Sequence, residues 1–163
     1  MKTGFLPLLG AGTLAIVVAA CASKPPPAAP PPPPPKAALV VATGPGVNPD
    51  ASGRPSPVVV RVYQLKGDAA FVNSTFAPLF EDERKVLGAD LIASDEYQLI
   101  PGERRTLELA PPPGLRYVGA VAAFHDVRNS SWRAVLPIPA GGWGDTRIEV
   151  TADTTRLRIQ LGH

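Results

Sequence analysis

A proline tract near the N-terminus limits what the chain can fold into more than any other feature. Nine of the eleven residues from Pro25 to Pro35 are prolines. Proline fixes φ and lacks a backbone N–H donor, so this tract forms neither helix nor sheet and adopts polyproline II geometry. At about 3.1 Å per residue it predicts a semi-rigid spacer of roughly 30–35 Å, with the folded part after it.

The segment before the tract has the layout of a secretory signal. Lys2 supplies a positive charge, Phe5 to Ala20 are mostly apolar, and small residues precede Cys21, the only cysteine in the chain. This order predicts a bacterial lipoprotein signal peptide over residues 1–20, with lipid attached to Cys21 after cleavage. A membrane-spanning helix is disfavoured because the apolar run falls short of the roughly 20 residues that a bilayer requires, and Pro7 interrupts its start.

Lipid on Cys21 would anchor the mature chain, since two or more acyl chains give stable membrane attachment. Ala22 follows Cys21, in place of the aspartate that commonly retains lipoproteins in the inner membrane. We therefore expect a lipid anchor at the periplasmic face of the outer membrane. Residues 21–37 would form the lipidated tether and residues 38–163 the folded domain.

Composition limits which classes of partner the domain can bind and which interactions can stabilise its fold. About 128 residues follow the tract, enough for one domain with a hydrophobic core and too few for two. Without Lys2, 15 basic residues face 14 acidic ones, which argues against nucleic acid as the main partner. A lone cysteine leaves no intrachain disulfide, so the fold would depend on its core.

Short apolar runs between turn residues predict a mainly β domain. Val58 to Leu65 is the strongest strand because it is dense in β-branched and aromatic residues. Leu115 to Phe124 is apolar on both faces, as in a central strand covered on both sides. Seven such strands predict a two-sheet β-sandwich. The predicted strands are 39–43, 58–65, 105–109, 115–124, 131–136, 147–151 and 155–161.

A helical spacing replaces the strand pattern between Gly67 and Pro101. Apolar residues recur at i, i+3 and i+4 over Phe76 to Phe80, and the stripe continues from Val86 to Leu91. We expect a helical insertion at about residues 68–92, made of two short helices, with Pro78 in a first turn and Gly88 near an end. We expect it to pack over one edge or end of the sandwich, where it would cover that edge against unwanted strand pairing.

The connection from Gly44 to Pro57 separates the first two predicted strands. It is about fourteen residues long, whereas simple hairpin loops use two to five. Prolines at positions 45, 49, 55 and 57 lower the entropy of the free loop, so less is lost when a partner orders it. From these residues alone, a binding loop and an inert crossover between sheets are equally open.

A set of segments then follows in a fixed order from about Leu39 to Leu161. After the cysteine come 48–50, 53–57, 58–65, Phe71, 76–80, 87–91, 101–103, 117–124 and 131–133. In this order and spacing the chain resembles the TssJ family, the outer-membrane lipoprotein of the type VI secretion system. It departs from the family pattern in its long proline spacer and in His125, where we expect an arginine before Asp126.

The resemblance implies a transthyretin-like β-sandwich with a small helical insertion, acting as a membrane-anchored scaffold. It implies that the loop from Gly44 to Pro57 binds the periplasmic region of TssM, an inner-membrane protein that also associates with TssL. No cofactor is implied beyond the covalent lipid. The matching positions in the loop are Asn48, Asp50 and Arg54 as polar contacts, with Pro49, Pro55 and Pro57 holding it open.

Catalytic residue patterns are scarce in the chain. His125 and Asp126 are adjacent at a strand end, and adjacent strand residues point to opposite faces. The sequence contains no Gly-x-Ser-x-Gly segment and no pair of histidines at metal-ligand spacing. We therefore expect neither enzymatic activity nor a metal site.

The two tryptophans raise an alternative function but differ in their expected positions. Trp132 alternates with Ala134 and Leu136, which favours a core position, whereas Trp143 lies in a glycine-rich segment and is a candidate for a second contact surface. The alternative to the scaffold is a stand-alone periplasmic lipoprotein that binds saccharide or peptidoglycan through exposed aromatics.

Overall fold

Two four-stranded sheets make up the core of a computed structural model that describes residues 37–139 and 146–162. Cys21, the proline tract and Trp143 lie outside the described residues. The strands are β1 (Ala37–Thr43), β2 (Val58–Leu65), β3 (Leu91–Leu99), β4 (Arg104–Leu109), β5 (Tyr117–Ala123), β6 (Arg133–Pro137), β7 (Arg147–Asp153) and β8 (Arg156–Gly162). The helices are α1 (Ala69–Asn73), α2 (Phe76–Glu81) and α3 (Glu83–Leu87), with 3-10 turns at Gly88–Asp90 and Val127–Asn129.

The first sheet has the order β4-β1-β7-β8 and the second the order β3-β2-β5-β6. β1 and β7 run parallel, with Val41 opposite Val150, and the other described neighbours run antiparallel. The predicted mainly β fold, with two sheets and a few short helices, is confirmed.

The main core lies between the two sheets. Alternate residues of each central strand point inward, so that Leu39 and Val41 of β1 meet Val60 of β2 in one apolar cluster. Val118 and Ile148, from β5 and β7, are fully buried in the same cluster. The period of two that predicted the strands is therefore the pattern that fills this core.

The three helices cover the outer face of the second sheet, whereas the sequence led us to expect an edge or end of the sandwich. On β2, Val62 points into the main core, but Tyr63 and Leu65 belong to a second cluster with Phe71 and Leu79. The expectation was wrong because β2 and β5 are apolar on both faces, so their outer face requires a cover. The two-sided pattern that we read in Leu115 to Phe124 is confirmed by this arrangement.

The predicted helical segment also differs from the structure inside its bounds. Asp82 separates α2 from α3, and its side chain accepts the N–H of Lys85 at 3.2 Å as the cap of α3, so three helices replace the two expected. Pro78 lies in the first turn of α2, as predicted. β3 was missed because it is an edge strand with polar residues such as Asp95 and Glu96 exposed, which weakens the apolar alternation.

Strand direction separates the connections into two groups. β1, β3, β5 and β7 end where β2, β4, β6 and β8 begin, and residues 44–57 lie at that end. We call it the loop end. Ala37, at the start of β1, lies at the opposite end, about 20 Å away for a seven-residue strand. Over residues 37–139 and 146–162, every helix falls short of the length and apolarity that crossing a membrane requires.

Candidate functional site

The loop between β1 and β2 occupies residues 44–57, with the boundaries that the sequence predicted. The base of the loop is fixed to β7 and to the main core. Gly44 donates its N–H to the carbonyl of Ala152 at 2.8 Å, and the Val47 side chain is fully buried in the main core. The Ser56 N–H donates to the Val47 carbonyl at 3.1 Å, which draws the two arms of the loop together.

Asn48 fastens the loop to the sandwich from within. The residue is 3% exposed and has a φ of 50°, a left-handed conformation that asparagine tolerates better than most residues. Its Nδ2 donates to the Pro57 carbonyl at 2.6 Å, and its Oδ1 accepts the backbone N–H of His125 at 2.7 Å. Its own N–H donates to the Thr154 carbonyl at 2.7 Å. Both polar atoms of this predicted contact residue are thus engaged inside the chain.

His125 and Ser56 extend the same network to the surface. The Ser56 hydroxyl donates its only proton to the Asn48 carbonyl, so it accepts at its contact with His125 Nε2, 3.0 Å away. Through this contact and its backbone N–H, His125 joins the loop to the end of β5. The pairing of these two residues was not predicted from the sequence, since 69 positions separate them and no local motif marks the pair.

The tip of the loop closes on the carboxylate of Asp50. Asp50 Oδ1 accepts the N–H of Ser52 at 2.8 Å and that of Arg54 at 3.0 Å, while Oδ2 accepts Arg54 Nε at 3.0 Å. The backbone closes the same turn, because Asp50 N–H donates to the Arg54 carbonyl at 2.8 Å. Gly53 has a φ of 77°, which glycine adopts without strain. Residues 50–54 form a rigid turn, and residues 51–55 are exposed.

The electrostatics of the tip agree with this geometry. The backbone N–H groups of Arg54 and Ser52 lower the pKa of Asp50, and the Arg54 guanidinium and nearby His125 add to the effect. The Arg54 side chain is 79% exposed, so its ion pair with Asp50 at 2.9 Å adds little to stability. The pair instead fixes the conformation of the tip and presents one negative and one positive side chain at the surface.

A groove of about 410 Å³ runs beside the loop, lined by Pro49, Asp50, His125, Asp126 and Thr155 among others. Within the groove, His125 contacts Ser56, whereas Asp126 bonds to Asn129. Asp126 caps the following 3-10 turn, accepting the N–H of Asn129 at 3.3 Å and its Nδ2 at 2.8 Å. Within residues 37–139 and 146–162, no group of three His, Cys, Asp or Glu side chains is arranged to hold a metal ion.

The predicted contact residues therefore divide into two groups. Asp50, Arg54 and Pro55 come together at the tip, with the half-buried Pro49 beside them. Asn48 lies beneath them as their support. No sequence signal separates these roles, because Asn, Pro and Asp are all ordinary loop residues.

Trp132 does not offer a platform for sugar stacking. It is half-buried and packs against both apolar clusters, in line with the core position expected from the sequence. The Phe76 ring meets it edge-on with centroids 5.3 Å apart, and the Arg133 guanidinium lies 4.7 Å over its ring.

Comparison with known proteins places this architecture in a family. The sequence model of the T6SS-SciN family, described as type VI secretion lipoprotein, VasD, EvfM, TssJ, matches residues 35–163. No curated protein sequence matches the chain significantly.

Solved structures of the same fold are also similar in sequence. The type VI lipoprotein TssJ1 from Pseudomonas aeruginosa is 32% identical, with a TM-score of 0.74 over 80% of this chain and 98% of its own. Lip from Serratia marcescens, described as a membrane-bound component of the type VI secretion system, is 28% identical, with a TM-score of 0.70 over 77% of this chain and 96% of its own. A chain in the structure described as the TssM C-terminal domain (869–1107) from EAEC is 29% identical, with a TM-score of 0.59 over 77% and 98%.

Proposed function

We propose a function from the premise that the chain belongs to the type VI secretion lipoprotein family that includes TssJ. In this proposal the protein is the outer-membrane component of the type VI membrane complex, held at the periplasmic face by lipid on Cys21. Its loop end binds the periplasmic domain of TssM and is linked through TssM to TssL. The protein acts as a structural scaffold, without a catalytic role or a cofactor.

The rigid tip at residues 50–54 is the observation that carries this proposal. A loop that is ordered before binding loses little conformational entropy when a partner docks, so more of the contact energy is kept as affinity. An inert crossover would not require a carboxylate with four donors, a positive-φ glycine and a buried asparagine beneath it. The exposed Arg54 and Pro55 are then the direct contacts, with Asp50 shaping the turn.

Asn48 takes a positioning role in the proposal. Its side chain is buried and bonded to Pro57 and His125, so it holds the loop against the sandwich without facing a partner. Substitutions of Asn48 should therefore affect binding and stability together, whereas substitutions of Arg54 should affect binding alone.

The structure that names TssM supports the choice of partner. The matched part of this chain is about 126 residues long and covers 98% of the matched chain, whereas the span 869–1107 comprises about 240 residues. The matched chain is thus too short to be the named TssM domain. A chain of this fold in a structure described by the TssM domain favours TssM as the partner here.

The two attachments also use different parts of the domain. The chain that leads from Cys21 joins the sandwich at Ala37, at the opposite end of β1 from the loop. A lipid anchor and a protein partner can then be held at the same time, as a link between membranes requires.

The proposal can be tested by capture of the TssM periplasmic domain on the full lipidated chain in detergent. We expect the wild-type chain to retain the domain and the double substitution Asp50→Ala, Arg54→Ala to lose at least ten-fold in affinity. Val72→Ser is the control because Val72 is exposed on helix α1, which covers the outer face of the second sheet and is separate in sequence from the loop. Equal capture by the wild-type chain and the loop variant would remove the loop from the interface.

A further inference from the structure

Ile100 is the most exposed large apolar side chain in the described part of the molecule. Its exposed fraction is 60%, against 38% for Val72, the next large apolar residue at the surface. Ile100 follows β3 directly and begins the connection to β4, which crosses from one sheet to the other in four residues. It therefore lies at the loop end, beside the proposed binding loop.

The backbone around Ile100 is held rigidly. Pro101 and Gly102, with φ 77° at the glycine, form a type II turn in which the Glu103 N–H donates to the Ile100 carbonyl at 3.1 Å. The Ile100 N–H donates to Glu103 Oε2 at 2.8 Å, and the Thr43 hydroxyl donates to the Ile100 carbonyl at 2.6 Å. Because both backbone polar groups of Ile100 are bonded, the outward direction of its side chain is fixed by the fold.

This turn is joined directly to the base of the β1–β2 loop. The Gly102 N–H donates to the Gly44 carbonyl at 3.2 Å, and the Thr43 N–H donates to the Glu103 carbonyl at 2.8 Å. The exposed Pro45 follows Gly44, which places an apolar loop residue next to the turn. The surface around Ile100 is thus continuous with the loop.

Beyond its base, the loop extends away from the turn. Asn48 ties the loop to Thr154 and His125, on the side of β7, β8 and β5. The β3–β4 turn occupies the remaining side. A stable interface uses about 20–30 residues on each partner, whereas the exposed tip offers only residues 51–55. A partner that binds the tip must therefore cover more of this end.

We propose that Ile100 is an apolar anchor of the same protein interface as the loop and inserts into an apolar recess on the partner. The inference rests on the proposed function, because the partner that covers the tip is the one that would cover the turn. Polar contacts at Arg54 and an apolar contact at Ile100 would then fix the orientation of the partner at two separate points.

The test measures the dissociation constant between the TssM periplasmic domain and the full lipidated chain in detergent. Ile100→Ser should weaken binding roughly ten-fold, since it removes the apolar area that the complex buries. Its melting temperature should stay at the wild-type value, because the turn is held by backbone atoms of Ile100. Ile100→Leu should keep wild-type affinity, and Val72→Ser serves again as the control for loss of an exposed apolar residue.

The outcomes separate this inference from the proposed function. Wild-type affinity for Ile100→Ser, alongside weak binding by Arg54→Ala, would overturn the anchor and leave the loop interface standing. Equal losses in Ile100→Ser and Val72→Ser would also overturn it, since the effect would not be specific to the turn. Absence of binding by the wild-type chain would overturn both proposals.

Discussion

The backbone N–H of His125 donates to the side-chain Oδ1 of Asn48 at 2.7 Å, across 77 positions of sequence. This bond joins the loop that leaves the first sheet to the end of β5 in the second sheet. Asn48 Nδ2 also donates to the carbonyl of Pro57, at the other arm of the loop. A single buried side chain therefore fixes the position of the tip relative to the sandwich.

Replacement of Asn48 by alanine should destabilise the domain. The substitution leaves the His125 N–H and the Pro57 carbonyl without their partner and forces alanine to adopt a left-handed conformation. We expect the free energy of unfolding to fall by roughly 2–4 kcal/mol, measured by urea denaturation. Asn48→Gly is the matched control, since glycine accepts the positive φ and should recover about 1 kcal/mol of that loss. Unchanged stability of Asn48→Ala would contradict the positioning role.

The carboxyl group of Asp50 should titrate below its ordinary pKa of 3.8, because the N–H groups of Arg54 and Ser52 favour the ionised form. A lowered folded-state pKa contributes stability above the unfolded value, and this contribution is lost as pH falls through the folded value. The tip should therefore loosen only in acid, which an NMR titration of Asp50 can follow. Arg54→Ala should raise the pKa of Asp50 only part of the way back to its ordinary value, since the backbone N–H donors at positions 52 and 54 remain. A wild-type pKa at or above 3.8 would rule out the closed tip.

Local patterns in the sequence were sufficient for seven of the eight described strands and for the loop boundaries. β2 begins and ends at the predicted residues because a β-branched run stands between a proline and a glycine-containing turn. The position of the helices depends on tertiary contacts, since it is the outward-facing Tyr63 and Leu65 of β2 and Val121 of β5 that require a cover. β3 was missed because its apolar residues are few and its order comes from pairing with β2.

In the candidate site, too, local sequence patterns predicted some features, whereas tertiary contacts determined the others. The length and proline content of residues 44–57 predicted a stiff loop, and its ends are those observed. Which of its polar residues is buried could not be predicted, because Asn48 is fixed by groups on β5 and on the β7–β8 turn. Hydrogen bonds across 77 positions leave no periodic signal in the sequence.

Gly119 should not tolerate alanine. A Cβ at this position of β5 would lie 2.7 Å from the Phe71 Cζ and 3.0 Å from two further ring carbons, and Phe71 is fully buried. We expect Gly119→Ala to lower the free energy of unfolding by about 1–3 kcal/mol through displacement of α1. Gly46→Ala is the control, because its nearest new neighbour would be 3.9 Å away. Equal stability of the two variants would contradict the close packing of α1 on the sheet.

Replacement of Cys21 by serine should abolish acylation and membrane attachment. Serine lacks the thiol that accepts the diacylglycerol, so the variant should leave the outer-membrane fraction and lose labelling by palmitate. The circular dichroism spectrum of the domain should be unchanged, since the cores lie within residues 37–162. A variant that still fractionates with the outer membrane would show that Cys21 is not the anchor.

Photo-crosslinking in intact cells can detect contact between the loop tip and TssM without purification of either protein. A photoreactive amino acid at Ser52 would lie in the exposed tip, and the same residue at Val72 on α1 serves as the control. We expect a crosslinked product containing TssM from position 52 and none from position 72. A TssM product from position 72 alone, or none from position 52 in a functional complex, would contradict it.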